Sequence, residues 1–306
     1  QDLLKADPNP AVRAKAAEVL GEFKSDAAVP ALLASLQNDT AFVVRRQCAK
    51  ALGKIRHPSV VPALQKALRD REPNIRWRAA EALGYVKDSS ASSVLADLLR
   101  TDEAPGVRWR AAEALGYLHH PNAIEPLRYA LKNDKDTIVR SRAAEALGAY
   151  PALQVMPSLQ DALKSDKFPA VRWRAAEALG KLHDPSVVPV LLSTLREDID
   201  NAVRWSAAEA LGQLRDNRAL EVLLKTVRED FDPAVRWSAA EALGNLGDAS
   251  AVSVLLMTVN YDKFASVRSK ACQALGQLND PSATPTLLKV LEEDTDPVVR
   301  RRAAEA

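Results

Sequence analysis

Apolar positions recur along the chain at the spacing of amphipathic helices, and the whole pattern repeats every 31 or 32 residues. The segment VRWRAAEALG stands at 107–116 and again at 171–180, and VRWSAAEALG stands at 203–212 and 235–244. Nine of the eleven glycines follow the same period, with one interval of 31 residues among intervals of 32. Such self-similarity predicts a repeat protein whose neighbouring units share one continuous core.

Each unit is predicted to contain two helices. The first follows the pattern of PSVVPALQKALRD at 58–70, where Pro62 falls in a first turn that has no intrahelical N–H bond to lose. The second begins at signals such as Asp232-Pro233, an N-cap followed by proline. It should end near the periodic glycine, which adopts a left-handed conformation easily. No segment alternates like a strand, so the fold class is all-α, an α-α superhelix of about ten helix pairs.

Two sets of positions in the second helix are assigned to the fold. Val, the first and third Ala and the Leu of VRWRAAEALG share one helix face and predict a close-packed core. Ten aspartates, from Asp7 to Asp294, each stand six residues before an arginine, from Arg13 to Arg300. We interpret the aspartate as fixing the turn between helices while it pairs with an arginine of its own or the adjacent repeat.

The aspartate, the six-residue step, the VR pair and AAEALG together resemble the HEAT-like repeats of the phycobilisome-lyase (PBS lyase) type, over essentially the whole chain. The resemblance implies a right-handed solenoid whose second helices line a concave face. Proteins with this type of repeat have several other functions, and they include chromophore-handling proteins and some enzymes. HEAT-like deoxyhypusine hydroxylases bind iron through His-Glu pairs, but no histidine here precedes a glutamate; all four are expected in turns between repeats. HEAT-like DNA glycosylases use an acidic residue at one site, whereas the carboxylates here recur in most repeats.

All five tryptophans occupy the third position of the VRWRAAEALG pattern. Counting about 100° per residue places them, and the glutamate four residues later, almost opposite the core stripe. We therefore expect both to line the concave face, together with three arginines and two tyrosines. The predicted partner-binding residues are Trp77, Trp109, Trp173, Trp205, Trp237, Arg78, Arg110, Arg174, Glu81, Glu113, Glu177, Glu209, Glu241, Tyr85 and Tyr117.

Two interpretations of the tryptophans remain open at this point. They form a recognition strip, since Trp and Arg are enriched at binding hot spots, or each indole packs on a neighbouring Arg or Ala. The first predicts a non-catalytic scaffold that binds a protein or peptide, such as the sensor arm of a multidomain protein. The alternative is a phycobilin- or tetrapyrrole-binding or lyase-type protein. The mixed charge of the face argues against a third class, the nucleic-acid-binding HEAT-like proteins.

Composition narrows these functions further. The 42 Lys and Arg balance 40 Asp and Glu, so no polyanion partner is indicated. Cys48 and Cys272 lie at Ala-like core positions and lack metal-ligand spacing. We expect no catalytic, metal or cofactor residues, no membrane segment and a cytoplasmic location. The first copy starts at QDLLKAD and the last stops at RRAAEA, which predicts one solenoid over 1–306 with both ends cut within a repeat.

Overall fold

The computed structural model describes residues 1–306 and contains helices and turns without a strand. The predicted all-α repeat fold is confirmed. The chain forms two compact units, residues 1–155 and 156–306, and each is described by itself. Along each unit, the first and the second helix of the repeat follow one another in turn.

The bounds of the helices follow the sequence period. In the first unit they are α1 Asp2–Ala6, α2 Pro10–Glu22, α3 Val29–Asn38, α4 Phe42–Ile55, α5 Val61–Ala67, α6 Pro73–Val86, α7 Ser92–Thr101, α8 Pro105–Leu118, α9 Ile124–Asn133 and α10 Thr137–Leu147. The unit boundary falls within α11, Ala152–Ser165. In the second unit they are α12 Pro169–Lys181, α13 Val188–Glu197, α14 Asn201–Leu214, α15 Leu220–Glu229, α16 Pro233–Leu246, α17 Val252–Tyr261, α18 Ala265–Leu278, α19 Thr284–Glu293 and α20 Pro297–Glu305. Odd numbers are first helices and even numbers are second helices.

The predicted helix starts are confirmed. Asp232 is the N-cap of α16, and its carboxylate accepts hydrogen bonds from the N–H groups of Ala234 and Val235. Pro233 takes the first helical position, where no N–H is needed. Pro62 likewise lies in the first turn of α5.

The predicted role of the periodic glycine at the helix end is wrong. Gly53 lies inside α4, and the left-handed residue that ends this helix is Arg56, with φ of 61°. A Cβ atom on Gly53 would lie 2.8 Å from the Cβ of Ala82 in the next second helix. The glycine is therefore needed because two helices approach each other closely, and not for a turn.

The predicted core stripe is confirmed. In α14, Val203, Ala207, Ala210 and Leu211 are all 2% exposed or less. Because these side chains and the glycines are small, successive second helices pack far more closely than successive first helices do. We refer to the surface formed by the second helices of a unit as its second-helix face.

Within each unit, the Asp–Arg pairs join one repeat to the next, so the aspartate pairs with an arginine of the adjacent repeat, the second of the two predicted pairings. Arg108 donates from Nε and Nη2 to both carboxylate oxygens of Asp134, at 2.7 and 2.9 Å, and from Nη1 to the backbone carbonyl of Asp102. Arg268 contacts Asp294 in the same bidentate way in the second unit. The hydrogen bond from Arg268 lowers the pKa of Asp294. These columns therefore belong to the fold.

No helix is both long and apolar enough to cross a bilayer.

Candidate partner-binding face

The five tryptophans lie on the second helices α6, α8, α12, α14 and α16, and each is half-buried. Two belong to the first unit and three to the second. The angular count predicted exposed side chains, so half-burial shows how much neighbouring repeats cover them. What covers each indole differs along the chain.

In the first unit, arginines cover the indoles. The Arg78 guanidinium lies 4.2 Å from the ring centroid of Trp77, and the Arg110 guanidinium of the next repeat lies 4.0 Å from it. Arg110 also lies 4.3 Å from the ring of Trp109, whose edge meets Trp77 at a centroid distance of 5.9 Å. Arg142 is 5.5 Å from the Trp109 ring. Both indoles thus make cation–π contacts within the unit.

The glutamates of this unit neutralise the same arginines. Glu81 accepts a hydrogen bond from Arg78 at 2.7 Å and lies 3.5 Å from Nη1 of Arg110. Glu113 accepts a hydrogen bond from Arg110. The aromatic, cationic and anionic groups of the first unit therefore contact one another, as the packing interpretation of the tryptophans requires, although Nε of Arg110 is buried without a hydrogen-bond partner.

The two predicted tyrosines lie side by side in the same unit. The rings of Tyr85 and Tyr117 stack at 6.3 Å, and Arg56 covers Tyr85 at 5.4 Å. Burial, and then the nearby carboxylate of Glu113, raises the pKa of Tyr117. Tyr117 and His119 line a pocket of about 170 Å³.

In the second unit, two of the three tryptophans also have a cation. Arg174 lies 4.0 Å from the ring of Trp173 and donates to Glu177 at 2.7 Å. Lys270 lies 4.1 Å from the ring of Trp237 and donates to Glu241 at 2.7 Å. These contacts reproduce the arrangement of the first unit.

Trp205 and Glu209 differ from the other pairs because serines stand at the positions that supply the cation. Ser206 and Ser238 are buried, and their hydroxyls donate to the backbone carbonyls of Trp173 and Trp205, at 2.9 and 3.1 Å. No cationic group of the unit lies over Trp205.

Glu209 is half-buried and accepts one long hydrogen bond, from Gln213 at 3.5 Å. Burial raises the pKa of Glu209, and the carboxylates of Glu177 and Glu241 raise it further. Trp205 and Glu209 therefore lack the paired cation that their counterparts have.

Sequence reasoning assigned no role to the residues that decide this difference. Ser206, Ser238 and Lys270 occupy the position next to the tryptophan column, which holds Arg78 and Arg110 in the first unit. Among the repeats that carry a tryptophan, this column shows Ser206 and Ser238 as the two positions without a cation. It would not have shown that the cation of one repeat covers the tryptophan of the repeat before it.

No group of three or more His, Cys, Asp or Glu side chains is placed to hold a metal ion. Cys48 and Cys272 are fully buried, and burial raises the pKa of each thiol to about 12. The predicted Ala-like positions of the cysteines are thus confirmed, and both thiols are protonated at neutral pH.

Stacked helix pairs that repeat along the sequence are typical of the α-helical repeat proteins. The sequence matches the HEAT repeat family over residues 1–71, 30–115, 92–167, 156–232 and 220–306, which together span the chain. The chain therefore belongs to the HEAT-repeat family, and the predicted HEAT-like repeat is confirmed. No curated protein matches the sequence significantly.

Solved structures share the fold at low sequence identity. The Escherichia coli protein YibA is 23% identical, with a TM-score of 0.59 over 85% of this chain and 95% of that one. A chain from the complex of Kap95p with RanGDP is 12% identical, with a TM-score of 0.70 over 99% of this chain and 49% of that one. The CpcE–CpcF complex of the phycocyanin lyase from Nostoc sp. is 22% identical over 90% of this chain and 91% of that one, with a TM-score of 0.38. The likenesses to YibA and to the chain from the Kap95p complex concern the helical repeat fold alone.

Proposed function

We propose that this protein is a non-catalytic scaffold that binds a partner protein or peptide along its second-helix face. The observation that carries the proposal is that the repeat folds without tryptophan. In α2 and α18 the tryptophan position holds Ala14 and Ser269, yet both helices keep the Arg–Asp pair to the next repeat. Because the fold does not need the indole, its presence in five repeats calls for another role.

The chemistry of the face favours a protein partner. Half-buried tryptophans beside arginines and glutamates combine a rigid apolar surface with charges of both signs, which is typical of protein-binding hot spots. A nucleic-acid backbone would instead favour unbroken positive charge. The Kap95p–RanGDP structure includes a chain of this fold and fits the proposal, although at 12% identity it concerns the fold alone.

Selection from a displayed library of random 15-residue peptides tests the proposal. Peptides selected on the wild-type protein are then measured against the double variant Trp205→Ala/Trp237→Ala. We expect at least about tenfold weaker binding, since loss of a hot-spot aromatic costs about 2 kcal/mol or more. The matched control is Tyr261→Ala, because Tyr261 is 79% exposed on the first helix α17 of the same unit.

Unchanged affinity in the tryptophan double variant, with its helix content and melting temperature retained, would contradict the proposal. An equal loss in the Tyr261→Ala control would also contradict it, since the peptide would then bind elsewhere than on the second-helix face.

A further inference from the structure

The tryptophans follow a simple rule that Trp205 breaks. Each of the others is covered by a cation at the next position of its own helix, as Trp173 is by Arg174, or by the corresponding cation of the next repeat, as Trp237 is by Lys270. Both of these positions are serine for Trp205, namely Ser206 and Ser238. We propose that the Trp205 ring and the Glu209 carboxylate together bind the guanidinium of an arginine supplied by the partner protein. This inference rests on the proposed function and specifies the chemistry of the partner at one position.

Arg110 shows how such an arginine is held when the chain supplies it. Its guanidinium lies 4.0 Å from the ring of Trp77 and 4.3 Å from that of Trp109, while its Nη1 contacts the carboxylates of Glu81 and Glu113. Trp205 and Glu209 repeat the spacing of Trp77 and Glu81, four residues apart on one helix. Because residues four apart share a helix face, the ring and the carboxylate can contact one ligand.

The charges around Glu209 favour a cation there. Glu177 and Glu241 both act on Glu209, but each of them has a cation of its own, Arg174 and Lys270 respectively. Glu209 forms no ion pair: the one cation that acts on it, Lys181, is paired with Glu177. An added positive charge therefore relieves repulsion among three carboxylates that are partly shielded from water. The planar guanidinium of arginine stacks on an indole and donates to a carboxylate at the same time, which a lysine ammonium does less well.

The serines cannot supply the missing charge. Both hydroxyls donate to backbone carbonyls, and both side chains are buried at 1% exposure. Trp205 therefore lacks a cation because serine stands at this position in two consecutive repeats.

The test uses the full chain with its tryptophan indoles labelled with ¹⁵N, and the blocked peptide acetyl-Gly-Gly-Arg-Gly-Gly-amide as the probe. The control probe carries citrulline, which has the shape of arginine without its charge. We expect the arginine probe to shift the Trp205 indole resonance saturably and the citrulline probe to shift it far less. In Glu209→Gln the arginine probe should bind about tenfold more weakly, because a charge-assisted hydrogen bond is lost.

Two further variants sharpen the result. Ser238→Arg supplies the cation from the chain itself, at the position equivalent to Arg110, and should abolish the shift of Trp205. Glu18→Gln changes the glutamate at the equivalent position of the first repeat, where Lys15 already pairs with it, and should leave the shift unchanged. Should Ser238→Arg fail to fold, Glu209→Gln still decides the question.

The inference is wrong if the arginine and citrulline probes act alike, or if Glu209→Gln binds the arginine probe as the wild type does. If the library-selected peptides nevertheless depend on Trp205 and Trp237, the proposed function stands and only the arginine site is lost. If neither measurement involves the second-helix face, both proposals fail.

Discussion

The second-helix faces of the two units are built on the same backbone and differ in one column of side chains. In the first unit, Arg78 and Arg110 fill the space over Trp77 and neutralise Glu81. In the second unit, Ser206 and Ser238 leave Trp205 and Glu209 without a cation. The comparison shows that a single position of the repeat decides whether a tryptophan contacts a cation, while the helices stay the same.

The largest expected loss of stability comes from breaking an Asp–Arg pair. It should be equal in the two units, because each unit contains the same kind of pair. Arg108→Ala and Arg268→Ala each remove a guanidinium that is at most 15% exposed and leave a carboxylate without its partner. We expect each to lower the free energy of unfolding by about 2 to 3 kcal/mol. Urea denaturation followed by circular dichroism measures both. A difference above about 1 kcal/mol between them would mean that the units differ in more than the tryptophan surroundings.

A smaller effect should separate the units. Trp77→Ala loses contacts with Arg78, Arg110 and Trp109, and we expect a cost of about 2 kcal/mol. Trp205→Ala loses no cation–π contact, so its cost should be about 1 kcal/mol smaller. The same denaturation experiment compares the two variants. Equal costs would show that the arginines add nothing to the stability of the first unit.

The smallest expected change in the free energy of unfolding comes from the glutamate substitutions, and its sign differs between Glu81 and Glu209. Glu81→Gln removes a pair with Arg78 and Arg110 and should cost about 1 kcal/mol at pH 7. Glu209→Gln should cost nothing or stabilise the fold, since burial and two neighbouring carboxylates raise the pKa of Glu209.

The sign of the pH dependence follows from the raised pKa of Glu209. Folding favours the protonated form of Glu209, so the charged form destabilises the fold above the folded pKa, and this penalty disappears as the pH falls. The advantage of Glu209→Gln over the wild type should therefore be largest near pH 7 and vanish below the ordinary glutamate range. An advantage that grows on acidification would show that Glu209 is stabilised as a carboxylate.

The repeat fold could be predicted from sequence because its signals are local. The helix spacing, the Asp232-Pro233 start and the Val203 to Leu211 stripe each depend on one helix, and the structure confirms them. The role of Gly53 could not be predicted, since a glycine near a helix end has the same signature whether it forms a turn or permits close approach. Only the position of Ala82 in the next repeat distinguishes the two.

The candidate face was predicted in composition but not in detail. An angular count describes one isolated helix, so it placed Trp77 in the open and could not include Arg110 from the next repeat. For the same reason it treated Trp77 and Trp205 as equivalent. Which tryptophans are covered depends on contacts between repeats.

The repeat that is one residue shorter than the others shows what holds neighbouring repeats in register. Its first helix, α5, ends at Ala67 after seven residues, whereas α3 and α7 have ten. Asp70 nevertheless meets both Nε and Nη2 of Arg45, at 2.9 and 3.1 Å, across 25 residues in place of the usual 26. Register is therefore fixed by one side-chain pair and not by residue count. We therefore expect whole repeats to be interchangeable. A second, tandem copy of residues 201–232 would add one repeat and one tryptophan to the second unit, and each new junction would keep its Asp–Arg pair.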